Sequence, residues 1–168
     1  MDTILKEGIQ LYRESRYEEA LAAFLKISSK DAELNFDAAY YIGLCYASLL
    51  QYDDALVYLE QIITAGTDIA RVYQCRLILA FIYTKTGRVR LAEFELSKLL
   101  DAGYDSPQVH TSMAFLAYEQ EKVDKSLSLY EKALELDPDN STALNGLGYI
   151  LADTEKDLTR ALILCKKA

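Results

Sequence analysis

Tryptophan is absent from this chain of 168 residues, which holds one histidine, three cysteines, two prolines and seven glycines. Each scarcity closes off a class of protein. Cys45, Cys75 and Cys165 stand far apart, without the paired spacing of a zinc site or the even number of a disulfide framework. They read as small hydrophobes. So little proline and glycine leaves no room for a linker or low-complexity segment, and one continuous array is expected. No apolar run approaches the length that crosses a bilayer, so membrane insertion is not expected. The N-terminus lacks the basic, apolar and small-residue succession of a signal peptide, which makes the cytoplasm the default location. His110 has no Ser or Cys at a local spacing that suggests a dyad, and no glycine-rich phosphate loop is present. Asp53–Asp54 and Glu119/Glu121 fall at expected helix ends and are solvated there. The expectation is therefore no enzyme, no cofactor and no metal site. Basic charge is also short: 26 acidic residues against 18 basic ones give a net charge of −8. A protein that neutralises phosphates needs the opposite balance, which argues against nucleic acid.

What the chain does have is repetition. In Ser126–Ala152, Leu127, Tyr130, Leu134 and Leu136 recur at helical spacing, Pro138 stops the helix, and Asn140 or Ser141 can cap the next one, which carries Leu144, Leu147 and Leu151 around Gly148. A glycine inside a helix costs about 1 kcal/mol relative to alanine, so close approach of a neighbouring helix is expected there. Small residues recur at Gly8, Gly43, Ala80, Ala114 and Gly148, with spacings of 35, 37, 34 and 34. A second series, Ala20, Ala55, Ala92, Ser126 and Ala161, follows 12 or 13 residues behind. Four places further stand Phe24, Leu59, Leu96, Tyr130 and Cys165. A period in the mid-thirties with two helices per unit is the signature of a solenoid whose units bury their cores against one another.

These spacings resemble those of the tetratricopeptide repeat (TPR) family, together with Tyr46 and Tyr83 three places after a small residue, Tyr17 and Tyr52 opening second helices, and Pro138 closing a unit. The resemblance covers the whole chain in five units, near 1–34, 35–70, 71–105, 106–140 and 141–168, the last incomplete. The tryptophan often found early in the first helix is replaced by Ile4, Ala39, Arg76, His110 and Leu144. The last unit resembles bacterial members with a hairpin turn one residue longer. The fold so implied is all-α, a right-handed superhelical solenoid of antiparallel helix hairpins. The chain stops within the second helix of the fifth hairpin, with no polar capping helix, so a longer natural protein or an excised fragment is expected.

The resemblance also implies that the first helix of each hairpin lines the inner, concave face. Helical periodicity then turns Leu5, Ile9, Tyr12 and Arg13, Tyr40 and Leu44, Leu77, Phe81 and Lys85, Phe115 and Tyr118, and Tyr149 toward that face. So apolar and aromatic a groove suits an amphipathic helix or an extended apolar peptide. The Lys/Asn clamp with which some TPR domains grip acidic C-termini has no counterpart: in the best register its places hold Leu5, Ile9, Tyr41, Gln74 and Ile78. The expected function is a non-enzymatic interaction scaffold for a protein or peptide. A self-assembling unit, with a homodimer through Ile150, Leu162 and Ile163 of the C-terminal hairpin, and a regulatory region of a larger multidomain protein are the alternatives.

Overall fold

The computed structural model describes residues 3–28 and 30–168. Those residues hold ten helices and no strand: α1 (Thr3–Arg13), α2 (Tyr17–Phe24), α3 (Ala32–Ser48), α4 (Tyr52–Ala65), α5 (Ile69–Lys85), α6 (Val89–Asp101), α7 (Pro107–Glu119), α8 (Val123–Leu136), α9 (Ser141–Asp153) and α10 (Leu158–Lys167). They divide into two compact units, Met1–Ile82 and Tyr83–Ala168, the boundary falling inside α5.

Helix starts follow two rules. Where one hairpin gives way to the next, a side chain caps the helix: Asp31 accepts from the Glu33 amide at 2.9 Å before α3, Ser106 from Val109 at 3.3 Å before α7, and Asn140 from Ala143 at 3.0 Å before α9. Pro107 opens α7, where its missing N–H costs nothing. Inside the hairpins, α2, α4, α6 and α8 begin after Arg16, Gln51, Arg88 and Lys122 with no side-chain cap. Acidic residues compensate in the first turns of α2 (Glu18, Glu19) and α4 (Asp53, Asp54), where carboxylates favour the helix dipole. The longer turn before α10 brings in Asp157, which accepts from the Arg160 amide at 2.8 Å.

Every hairpin turn contains one left-handed residue: Ser15, Leu50, Gly87, Glu121 and Glu155, with φ of 62°, 61°, 72°, 60° and 51°. The next amide in each turn reaches back five residues, Arg16 to Leu11, Gln51 to Tyr46, Arg88 to Tyr83, Lys122 to Ala117 and Lys156 to Leu151. This is the Schellman closure, and it satisfies carbonyls that the helix end leaves open.

The two small-residue series meet inside the hairpins. In the first unit a side chain on Gly8 would stand 2.5 Å from the Phe24 ring, and one on Gly43 would stand 3.0 Å from Leu59. In the second unit Ser126 donates to the Ala114 carbonyl at 2.7 Å, and Gly148 lies against Ala161 and Cys165. Phe24, Leu59 and Cys165, each four places after a second-series member, thus fill the space left by Gly8, Gly43 and Gly148. The first unit's core gathers Leu5, Ile9, Ala20, Phe24, Ile42 and Cys45. That of the second includes Ala114, Tyr130, Ala133, Ala143, Leu147, Ile150, Leu151 and Ala161. Among the described residues no helix is long and apolar enough to cross a membrane.

Candidate functional site

In the first unit the expected inner-face residues divide by depth. Leu5 and Ile9 are buried in the core with Phe24, Ile42 and Cys45, because α3 packs over that side of α1. Tyr40 is buried and held from α5: its hydroxyl donates to Gln74 Oε1 at 2.5 Å, and burial pushes its phenol well above the usual range. Leu44 is buried as well. These four therefore act in packing, not as a contact surface. Tyr12 and Leu77 are half-buried, while Arg13 and Phe81 are exposed.

Beside them lies an arrangement that the sequence analysis did not single out. Arg71 pairs with Asp37 at 2.5 Å and with Asp68 at 3.4 Å, and its guanidinium carbon stands 4.9 Å from the Tyr40 ring centroid and 5.6 Å from that of Phe36. Arg71, Asp37, Asp68 and Phe36 border a concavity of about 500 Å³. The signal was available: Asp37 and Arg71 are 34 residues apart, as are Tyr40 and Gln74. Residues one period apart stand side by side on successive first helices.

In the second unit the expected residues stay open. Phe115, Tyr118 and Glu119 share one face of α7, and Asn145, Tyr149 and Asp153 share one face of α9. Phe115 is 44 % and Tyr149 57 % exposed, and Tyr118 is half-buried. The Tyr118 and Tyr149 rings meet edge to face with centroids 6.0 Å apart. Tyr118 donates a hydrogen bond to Asp153 Oδ2, and that carboxylate raises the phenol to about 12. With Ser141, Thr142 and Gly146, the residues Phe115, Tyr118, Glu119, Asn145 and Tyr149 border a concavity of about 830 Å³; Asp153 stands outside its lining, joined to it through Tyr118. Gly146 is needed here, since a side chain at that place would run into the Tyr130 ring. Lys85, at the end of α5, is exposed.

His110 is buried, its Nε2 2.5 Å from Asp105 Oδ1. Cys45 and Cys75 are buried and pushed up to about 12 by burial, whereas Cys165 is exposed. Among the described residues no group of His, Cys, Asp and Glu gathers into a metal site.

The tetratricopeptide repeat family profile matches residues 5–70 and 112–168, which is most of the chain. The chain belongs to the tetratricopeptide repeat family. Members of this TPR family mediate protein–protein interaction and are in general non-enzymatic scaffolds. The solved structure of MamA AMB-1 matches this TPR chain with a TM-score of 0.77 at 19% identity, covering 99% of this chain and 100% of that one. YrrB, described as a TPR protein with an unusual peptide-binding site, matches with a TM-score of 0.68 at 21% identity, over 98% of this chain and 82% of its own. At such identities the likeness is one of fold. Intraflagellar transport protein 70A of Danio rerio is 44% identical over 59 residues, 35% of this chain; the TPR chain spans 9% of that curated relative's length.

Proposed function

We propose that this TPR chain is a non-enzymatic scaffold whose first-helix faces hold an apolar or amphipathic helical segment of a partner protein. The observation that carries the reading is the aromatic face of the second unit, where Phe115 and Tyr149 stand 44 % and 57 % exposed beside Tyr118 over a concavity of about 830 Å³. Clustered exposed apolar surface on a folded chain marks interaction sites, and aromatic rings give large contact area at small entropic cost. In the first unit Phe81 and Arg13 are exposed, and Tyr12 and Leu77 half-buried, on first helices. The family membership supports a protein partner. Binding of a panel of labelled amphipathic helical peptides, followed by anisotropy, tests the reading. Phe115→Ala with Tyr149→Ala should abolish binding and leave the helical circular dichroism unchanged. Binding that survives the double substitution overturns it.

A second reading, self-association, has its own observation. Leu158, Leu162 and Ile163 are 61 %, 57 % and 62 % exposed on α10. Ile150 does not join them, being 1 % exposed in the second unit's core. A mass by light scattering that rises with concentration, and that Leu162→Lys returns to the monomer, supports it; a constant monomer mass excludes it.

A further inference from the structure

We propose that the concavity between α7 and α9 takes the charged head of an arginine or lysine on the partner peptide, held over the Phe115 and Tyr149 rings with Glu119 and Asp153 as counter-charges. This rests on the peptide-binding reading and narrows the partner to basic amphipathic segments. Three observations converge. The wall is aromatic and acidic: no Lys or Arg is among the described residues that border the concavity, and the one ionised side chain among them is that of Glu119. Among the described residues no cation pairs with Glu119 or Asp153, and Asp153 takes only the Tyr118 hydroxyl, through Oδ2. The first unit shows the same chemistry already filled: the Arg71 guanidinium lies 4.9 Å from the Tyr40 centroid and 2.5 Å from Asp37. There the chain supplies the cation itself; in the second unit the rings and carboxylates stand without one.

A purely apolar helix seated here would desolvate two carboxylates with nothing in return, and an acidic peptide would be repelled by them. A cation over an aromatic face with a carboxylate nearby gains from both. The net charge of −8 draws basic partners from a distance in addition.

The probe is a fluorescein-labelled helical peptide of about five turns with one leucine stripe bordered by arginines, paired with a twin in which every arginine is glutamine. Anisotropy titrations use the wild-type chain, Glu119→Gln, and Glu135→Gln, an exposed acid on α8 that does not border the concavity. The arginine peptide should bind the wild type roughly tenfold more tightly than its twin. Glu119→Gln should remove most of that preference, and Glu135→Gln should keep it. Equal binding of the two peptides overturns the basic-residue proposal and leaves the peptide-binding reading standing. Binding of neither overturns both. A preference weakened equally by the two substitutions reports net charge alone and also overturns it.

Discussion

Alanine at Gly8 sets two effects of known size against each other. In an open helix the change stabilises by about 1 kcal/mol, because glycine has more backbone freedom to lose. In this chain the new methyl would stand 2.5, 2.8 and 2.9 Å from Cε1, Cζ and Cδ1 of Phe24. Carbon atoms rest about 3.5–4.0 Å apart, so the ring must move by roughly 1 Å. It has nowhere to go: Phe24 is fully buried and stacked on Tyr41 at 5.2 Å and 13°, and Tyr41 in turn meets Tyr12 and Tyr40. Overpacking of this kind costs typically about 1–3 kcal/mol. With three contacts under 3.0 Å on a ring that is boxed in, the clash takes the upper part of that range, about 2–3 kcal/mol, so the net loss is about 1–2 kcal/mol and the Tm falls by about 2–8 °C. Solenoid units need not unfold together, so hydrogen exchange of the α1–α3 amides should accompany the thermal melt. In a Phe24→Leu background the same alanine should cost less, by about 1 kcal/mol of coupling. A neutral or stabilised Gly8→Ala in the wild-type background refutes the argument, and with it the idea that the small-residue series marks helix contact.

Other consequences are open to direct measurement. Leu50→Gly should stabilise by about 0.5–1 kcal/mol in urea unfolding, since glycine relieves a left-handed side chain that is already exposed and loses little packing. Gly87→Ala should move the other way by a similar amount, through the backbone alone, as nothing lies within 4 Å of the added methyl. Cys165 should react at once with a thiol reagent at pH 8, while Cys45 and Cys75, buried and with pKa raised to about 12, should react only after unfolding. Fast labelling of all three in the folded chain contradicts that burial. Asp153→Asn should bring the Tyr118 phenol from about 12 back toward its ordinary 10.0 in a ring NMR titration, because the tyrosinate no longer forms beside a carboxylate. An unchanged titration excludes the hydrogen bond.

The hairpins and their register were legible because one physical cause, two helices in close contact, writes itself into sequence as two series of small residues in step. Asn140 was legible as a cap for the same kind of local reason. The left-handed turns were not. Only Gly87 among the five is a glycine, and Ser15, Leu50, Glu121 and Glu155 carry no signal that their φ is positive. The inner face was half legible. Helical spacing gives the direction of a side chain about its own axis, and by that measure Ile9, Leu44, Phe115 and Tyr149 are equivalent. It does not say what a neighbouring helix covers, so Ile9 and Leu44 are buried while Phe115 and Tyr149 remain exposed. The Arg71 cluster was missed because all its partners but Asp68, namely Asp37, Phe36 and Tyr40, stand about one repeat away in sequence.

The central claim is that the α7–α9 face of the second unit is a peptide-binding surface. The measurement that tests it most directly is amide and aromatic NMR of the isotopically labelled chain, titrated with the leucine–arginine peptide. The account predicts saturable shifts confined to Phe115, Tyr118, Glu119, Asn145, Tyr149 and their immediate neighbours. Shifts centred on the exposed apolar stripe of α10, or none at saturating peptide, would contradict it.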